Sequence, residues 1–168
     1  ASIGKNILLA KFNDPDLWEF QRHNRIDIWW SGQENNGDLM LIFAYMLKLN
    51  PEWETAQIHI RSIARDETEK AILLAGIEQS LANARIQAEV HVSMEGDAGF
   101  TEHLHRESRD ADIVFLGLKS TDEGREEQHV EKLGQLASVG KAVVFIQNNS
   151  LKDSLPTLLN IPRRSPAT

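Results

Sequence analysis

No cysteine occurs in the 168 residues. That removes a disulfide framework, a thiolate metal site and a thiol nucleophile, and it suits a reducing compartment. Cationic side chains are the minority, 18 Lys and Arg against 25 Asp and Glu, for a net charge of −7. A general nucleic-acid binder needs a basic face, and this balance argues against one. The single basic cluster, Arg163-Arg164, sits in a Pro-containing tail, "IPRRSPAT", read as solvated. Long apolar runs are also missing. The longest uncharged one, Leu39 to Leu47, is about half of the ~20 residues a spanning helix needs. A basic start followed by an apolar stretch, the mark of a signal peptide, is not found either. The chain begins at Ala, which fits a processed protein or a piece of a longer one.

What is present is an alternation of apolar runs and helical stripes. "KNILLAKF" (5–12), "RIDIWW" (25–30), "AQIHIRSIA" (56–64), "AEVHV" (88–92), "DIVFLGL" (112–118) and "KAVVFIQN" (141–148) read as strands. The last two are nearly continuous apolar sequence, as in strands covered on both faces. Helices are expected between Asp38 and Asn50-Pro51 and over 66–85, 99–111 and 125–140. The second of these carries Leu73, Leu74, Ile77, Leu81 and Ala84 on one stripe. The third buries Phe100 and Leu104; the fourth packs through Val130, Leu133 and Ala137, with Gly140 near its cap. A short final turn over 151–159 is added.

Strand–helix alternation predicts an α/β fold: a doubly wound, mainly parallel sheet with helices on both faces. Strand 5–12 is placed at an edge. Residues 1–150 are read as one domain and 151–168 as a partly flexible extension.

In such sheets ligands bind beyond the carboxyl ends of the strands, where strand order reverses. The loops there are 31–38, 93–99 and 119–124. None carries a recognised chemistry. Gly32 and Gly37 do not make the Gly-x-Gly-x-x-Gly of a dinucleotide site. "GQLASVGKA" (134–142) misses the P-loop spacing by one residue, has Ala142 for the metal-binding Ser/Thr, and leads into a strand. Acids at the start of helix 125–140 compete with a phosphate for the same N–H groups. No hydrolase elbow occurs. His103 and His105 fall on different faces of their helix and read as surface residues. His59 and His91 lie in separate strands, and nothing in the sequence brings them together. Trp29 and Trp30, as strand neighbours, are expected to pack on opposite sides of the sheet. No catalytic, cofactor-binding or metal-binding residue is assigned.

The helix after Asp38 is the anomaly. On a wheel Leu39, Ile42, Phe43, Met46 and Leu49 form one face, wide enough to cover the sheet. The rest, Met40, Leu41, Ala44, Tyr45, Leu47 and Lys48, holds a single charge. A contiguous apolar patch of that kind marks an interaction site, and these six residues are the candidate interface. Either the segment with Phe12, Leu17, Trp18 and Phe20 covers them, or a partner chain does.

"IDIWWSGQENNGDLMLIFAYMLKLNPEWETAQIHI" (26–60) resembles the start of the cytosolic C-terminal domain of the cation–chloride cotransporters. The residues that carry the likeness are Ile26, Asp27, Trp29, Trp30, Gly37, Leu39, Leu41, Tyr45, Leu47 and Trp53. "ADIVFLGL" with "EEQHVEKLGQLASVGKAVVFIQN" is similar to that family's closing strand–helix–strand. The turn 31–38 is longer than usual, Ala44 stands where Pro is common, and the long insertions of animal members are missing. This resembles a compact, prokaryotic version.

The resemblance implies a universal-stress-protein-like domain at the cytoplasmic face of the cell membrane. It would be regulatory and non-catalytic, without a cofactor, and part of a homodimer. Its other partner would be the transmembrane domain of the same polypeptide, which moves Na⁺ and/or K⁺ with Cl⁻ electroneutrally. Nucleic acid and direct membrane insertion have no place in it. The alternative is a stand-alone universal-stress-type nucleotide-binding protein, against which the missing phosphate-loop glycines count.

Overall fold

Along Gln57–Ala64 every second residue is buried, and that two-residue beat sets the layers of the molecule. The computed structural model describes residues 6–19, 21–31, 36–118 and 126–148. Six strands form one sheet: β1 (Ile7–Phe12), β2 (Arg25–Trp29), β3 (Gln57–Ala64), β4 (Glu89–Met94), β5 (Ile113–Gly117) and β6 (Ala142–Gln147). Their order is β1-β6-β5-β2-β3-β4. All pairings are parallel except β1 with β6, so the expected edge strand is there and runs antiparallel. The helices are α1 (Asn36–Lys48), α2 (Glu67–Ala84), α3 (Phe100–Glu107) and α4 (Glu126–Leu136). The doubly wound fold read from the sequence is the one observed. The extension 151–168, its expected turn and loop 119–124 lie outside the described residues.

Each face of the sheet has its own core. Ile26, Ile28, Ile58, Ile60, Phe115 and Val144 meet Met40, Leu41 and Ala44 of α1 and Ile77 of α2. On the other face Trp29, Val114, Leu116, Val143 and Phe145 meet Leu104 of α3 and Leu136 beside Ala137. β5 and β6 contribute to both, which is why their sequences are nearly unbroken apolar runs. Trp29 and Trp30 do part company across the sheet, Trp30 packing half-buried on the first core.

Local chemistry fixes the helix ends. Asp66 caps α2 by accepting from the Glu69 N–H at 2.8 Å, while the Glu69 carboxylate accepts from the Arg65 N–H at 2.7 Å. Asn50-Pro51 ends α1, since proline cannot continue a helix. Gly140 turns at φ +61, where a Cβ would meet the Ala111 carbonyl at 2.9 Å; only glycine fits there without strain. In α4 the expected contact of Val130 is not made. It is 67% exposed, and the helix seats itself through Leu136 and Ala137, with Leu133 half-buried.

Asp112 ties three strand beginnings together. It accepts from the Asn24 and Arg25 N–H groups at 2.7 and 3.0 Å and from Lys141 Nζ at 2.7 Å. Burial alone would raise its pKa, but the Lys141 ammonium and the two N–H groups outweigh burial and hold it below the usual carboxylate range. A depressed folded pKa contributes stability above the unfolded value near ~3.9, lost as pH falls through the lower folded value. Urea denaturation between neutral and strongly acid pH is therefore expected to show a steep acid limb below about pH 4. In Asp112→Asn that limb becomes shallower.

Candidate functional site

Between β2 and β5 the chain reverses its direction of travel across the sheet, and a cavity of about 430 Å³ opens at their carboxyl ends. Its walls are aromatic and aliphatic, with Trp29, Trp30, Phe100, Leu116, Leu133 and Phe145 among them. Among the described residues the charged groups that line it are Arg65, Glu69, Glu95 and Lys132. Arg65 and Glu69 are already joined, guanidinium to carboxylate at 2.9 and 3.0 Å. Asn36 closes one side, donating from Nδ2 to the Leu118 carbonyl at 3.3 Å and accepting from the Asn148 N–H at 2.7 Å. Gly37 lies flush on the Trp30 ring, so that a Cβ there would overlap it.

Beneath the cavity runs a charged network that the sequence reading did not assign. Asp27 is fully buried on β2. Arg25 holds it in a fork, Nε and Nη2 donating at 2.7 and 2.8 Å, and Arg61 Nε donates at 3.1 Å. Ser108 Oγ donates to it at 2.6 Å and itself accepts from Trp29 Nε1 at 2.9 Å. A cavity wall is thereby fastened to the ion pair. Arg61 Nη1 continues to Glu107 at 2.8 Å, and Glu107 also accepts from Ser93 at 3.2 Å. Burial works to raise the Glu107 pKa, but hydrogen bonds from His103 and Arg61 prevail and lower it. The hydrogen bond to Asp27 raises the Arg25 pKa further.

His103 belongs to this network and is 5% exposed. The expectation of a surface histidine is wrong for it. α3 is a single short helix, and the face bearing His103 is pressed between Glu107 and the Glu95 carbonyl, 3.0 Å from Nε2. Its neighbour Phe100, expected to be buried, is instead 38% exposed and touches Trp29 edge-on at 5.3 Å.

The candidate interface on α1 divides. Met40, Leu41 and Ala44 are at most 1% exposed and belong to the core. Tyr45, Met46 and Leu49 are 44, 56 and 67% exposed, with Leu47 and Lys48 half-buried. The wheel was right about width and wrong about orientation. The helix packs over β2, β5 and β6 and turns Met40, Leu41 and Ala44 into the core there. Leu17, from the N-terminal segment, joins that core.

Strand pairing also unites residues that lie far apart in sequence. His59 sits beside Glu89 in register, and His91 follows on the same face of β4. His59 Nδ1 and His91 Nε2 each lie 3.5 Å from Glu89 Oε2. Burial pushes the His59 imidazole below its usual pKa, toward the neutral form.

No family model matches the sequence. Cation-chloride cotransporter 2 of Oryza sativa subsp. japonica is 32% identical over 92 residues, which are 54% of this chain and 9% of that protein. The crystal structure of the cytoplasmic domain of a prokaryotic cation chloride cotransporter superposes with a TM-score of 0.60 at 20% identity. The two share a fold. The match covers 90% of this chain and 56% of the solved one, so the chain spans about half of that structure and a small part of the rice protein. Among the described residues no helix is long and apolar enough to cross a membrane.

Proposed function

We propose that this chain is the cytoplasmic regulatory and dimerising domain of an electroneutral cation–chloride cotransporter carrying Na⁺ and/or K⁺, itself neither catalytic nor ion-conducting. The observation that carries the reading is the fold shared, over 90% of the chain, with the cytoplasmic domain of a prokaryotic cation chloride cotransporter. An independent sequence match to a second cotransporter supports it. Its partners are then a second copy and the membrane domain of its own polypeptide, and its place is the cytoplasmic face of the membrane.

The dimer surface is the outer side of α1: Tyr45, Leu47 and Lys48, extended by the exposed Met46 and Leu49. Leaving a Leu or Met in water forgoes roughly 1.5–3 kcal/mol relative to burial, which gives a second chain reason to cover them. Sedimentation of the wild-type chain at high micromolar concentration is expected to show a dimer, and Leu49→Glu a folded monomer. A monomeric wild type, or a dimer indifferent to Leu49→Glu, removes this surface from the reading.

The cavity favours one competing reading, nucleotide binding, because it stands where doubly wound sheets hold such ligands. Against it, the Arg65 guanidinium is already engaged by the Glu69 carboxylate, and Glu95 offsets Lys132, so the described lining offers a phosphate no net positive charge. Heat on titration with ATP would support that alternative; its absence is expected here.

A further inference from the structure

We infer that His59, Glu89 and His91 form a binding site for a divalent transition-metal ion of the zinc class, on the sheet face opposite α1 and at the amino-terminal end of β3 and β4. All three donor atoms lie within 4.8 Å of one another, and two of the separations are 3.5 Å. Two ligands on a tetrahedral ion with bonds of about 2.0–2.1 Å stand roughly 3.3 Å apart, so the observed spacing is close to the bound one. Glu89 and His91 are exposed, and the remaining closure needs only rotation of surface side chains. His59 is the fixed member. Its side chain is 13% exposed, and Nδ1 is shut off from solvent with no hydrogen-bond partner. Buried polar atoms are nearly always paired, and an imidazole nitrogen left unpaired beside a carboxylate and a second imidazole is placed to give a lone pair to an ion once its proton is on Nε2.

The surroundings are compatible with a cation. Arg25 and Arg61 share this face, but Asp27 engages both and Glu107 takes the other end of Arg61. Their positive charge is spent within the network, leaving the Glu89 carboxylate unopposed. Two imidazoles and one carboxylate suit zinc, nickel or cobalt and discriminate against magnesium, which prefers oxygen ligands. With no cysteine in the chain, no thiolate competes for the ion. The exposed side leaves further coordination positions to water or to a donor from another molecule. β4 ends the sheet, so a bound ion would pin its edge strand to β3. This site does not depend on the transporter reading.

The test is calorimetric titration of the metal-free 168-residue chain with zinc chloride and separately with magnesium chloride, with cobalt absorption as the spectroscopic readout. One zinc per chain, no magnesium binding in the same range, and a cobalt spectrum of low coordination number are expected. His59→Gln and His91→Gln should each weaken zinc by at least about tenfold, since even outer-shell changes cost that much. His105→Gln should leave it unchanged. His91 is half exposed, so its variant folds even if His59→Gln does not. No zinc binding, equal affinity in wild type and His91→Gln, or an equal loss in His105→Gln overturns the assignment.

Discussion

Asp27→Asn is expected to lower the free energy of unfolding by about 3–5 kcal/mol, the usual result of removing one partner from a buried ion pair. The size follows from what stays behind. Arg25 and Arg61 are 24 and 12% exposed and both aim at this carboxylate. An amide offers no charge and turns one donor group toward two guanidinium groups that are donors only. Ser108 loses its acceptor as well, and with it the anchor of the Trp29 indole. In a domain of this size the change corresponds to a melting temperature lower by roughly 10 °C, measurable by thermal or urea denaturation. If Asp27→Asn unfolds within about 1 kcal/mol of wild type, the network contributes little net stability.

The second large effect concerns α1. Leu41→Ala should cost about 2–5 kcal/mol, because Leu41 is wholly buried between α1 and the sheet and truncation leaves a cavity. Leu49→Ala, on the outer side of the same helix, should stay within about 0.5 kcal/mol when both are measured dilute enough for the chain to be monomeric. Denaturation curves of the two variants separate the observed orientation of α1 from the one the wheel suggests. Equal costs would mean that the helix is rotated.

The layered fold and the placing of strands and helices along the chain were legible in the sequence because they follow from periods. β3 alternates, β5 and β6 do not, and helical stripes separate them. The orientation of α1 was not legible. Nine uncharged residues in a row leave a wheel with no polar side to mark water, and the neighbours decide. Asp27 was visible as an acid inside an apolar strand, and Arg61 occupies the same face one strand over. That coincidence was the available signal for the buried network, but it needs the pairing of β2 with β3 to become a contact. His59, Glu89 and His91 pose the same difficulty. They span 33 positions, and only the parallel register of β3 and β4 makes them neighbours.

The transporter assignment rests on the protein's being one part of a larger membrane polypeptide. An antibody raised against these residues, applied to fractionated cells that carry the gene at its native locus, tests this directly. The account predicts reaction with a membrane-fraction polypeptide far heavier than 19.0 kDa. A single soluble species of 19.0 kDa would contradict it.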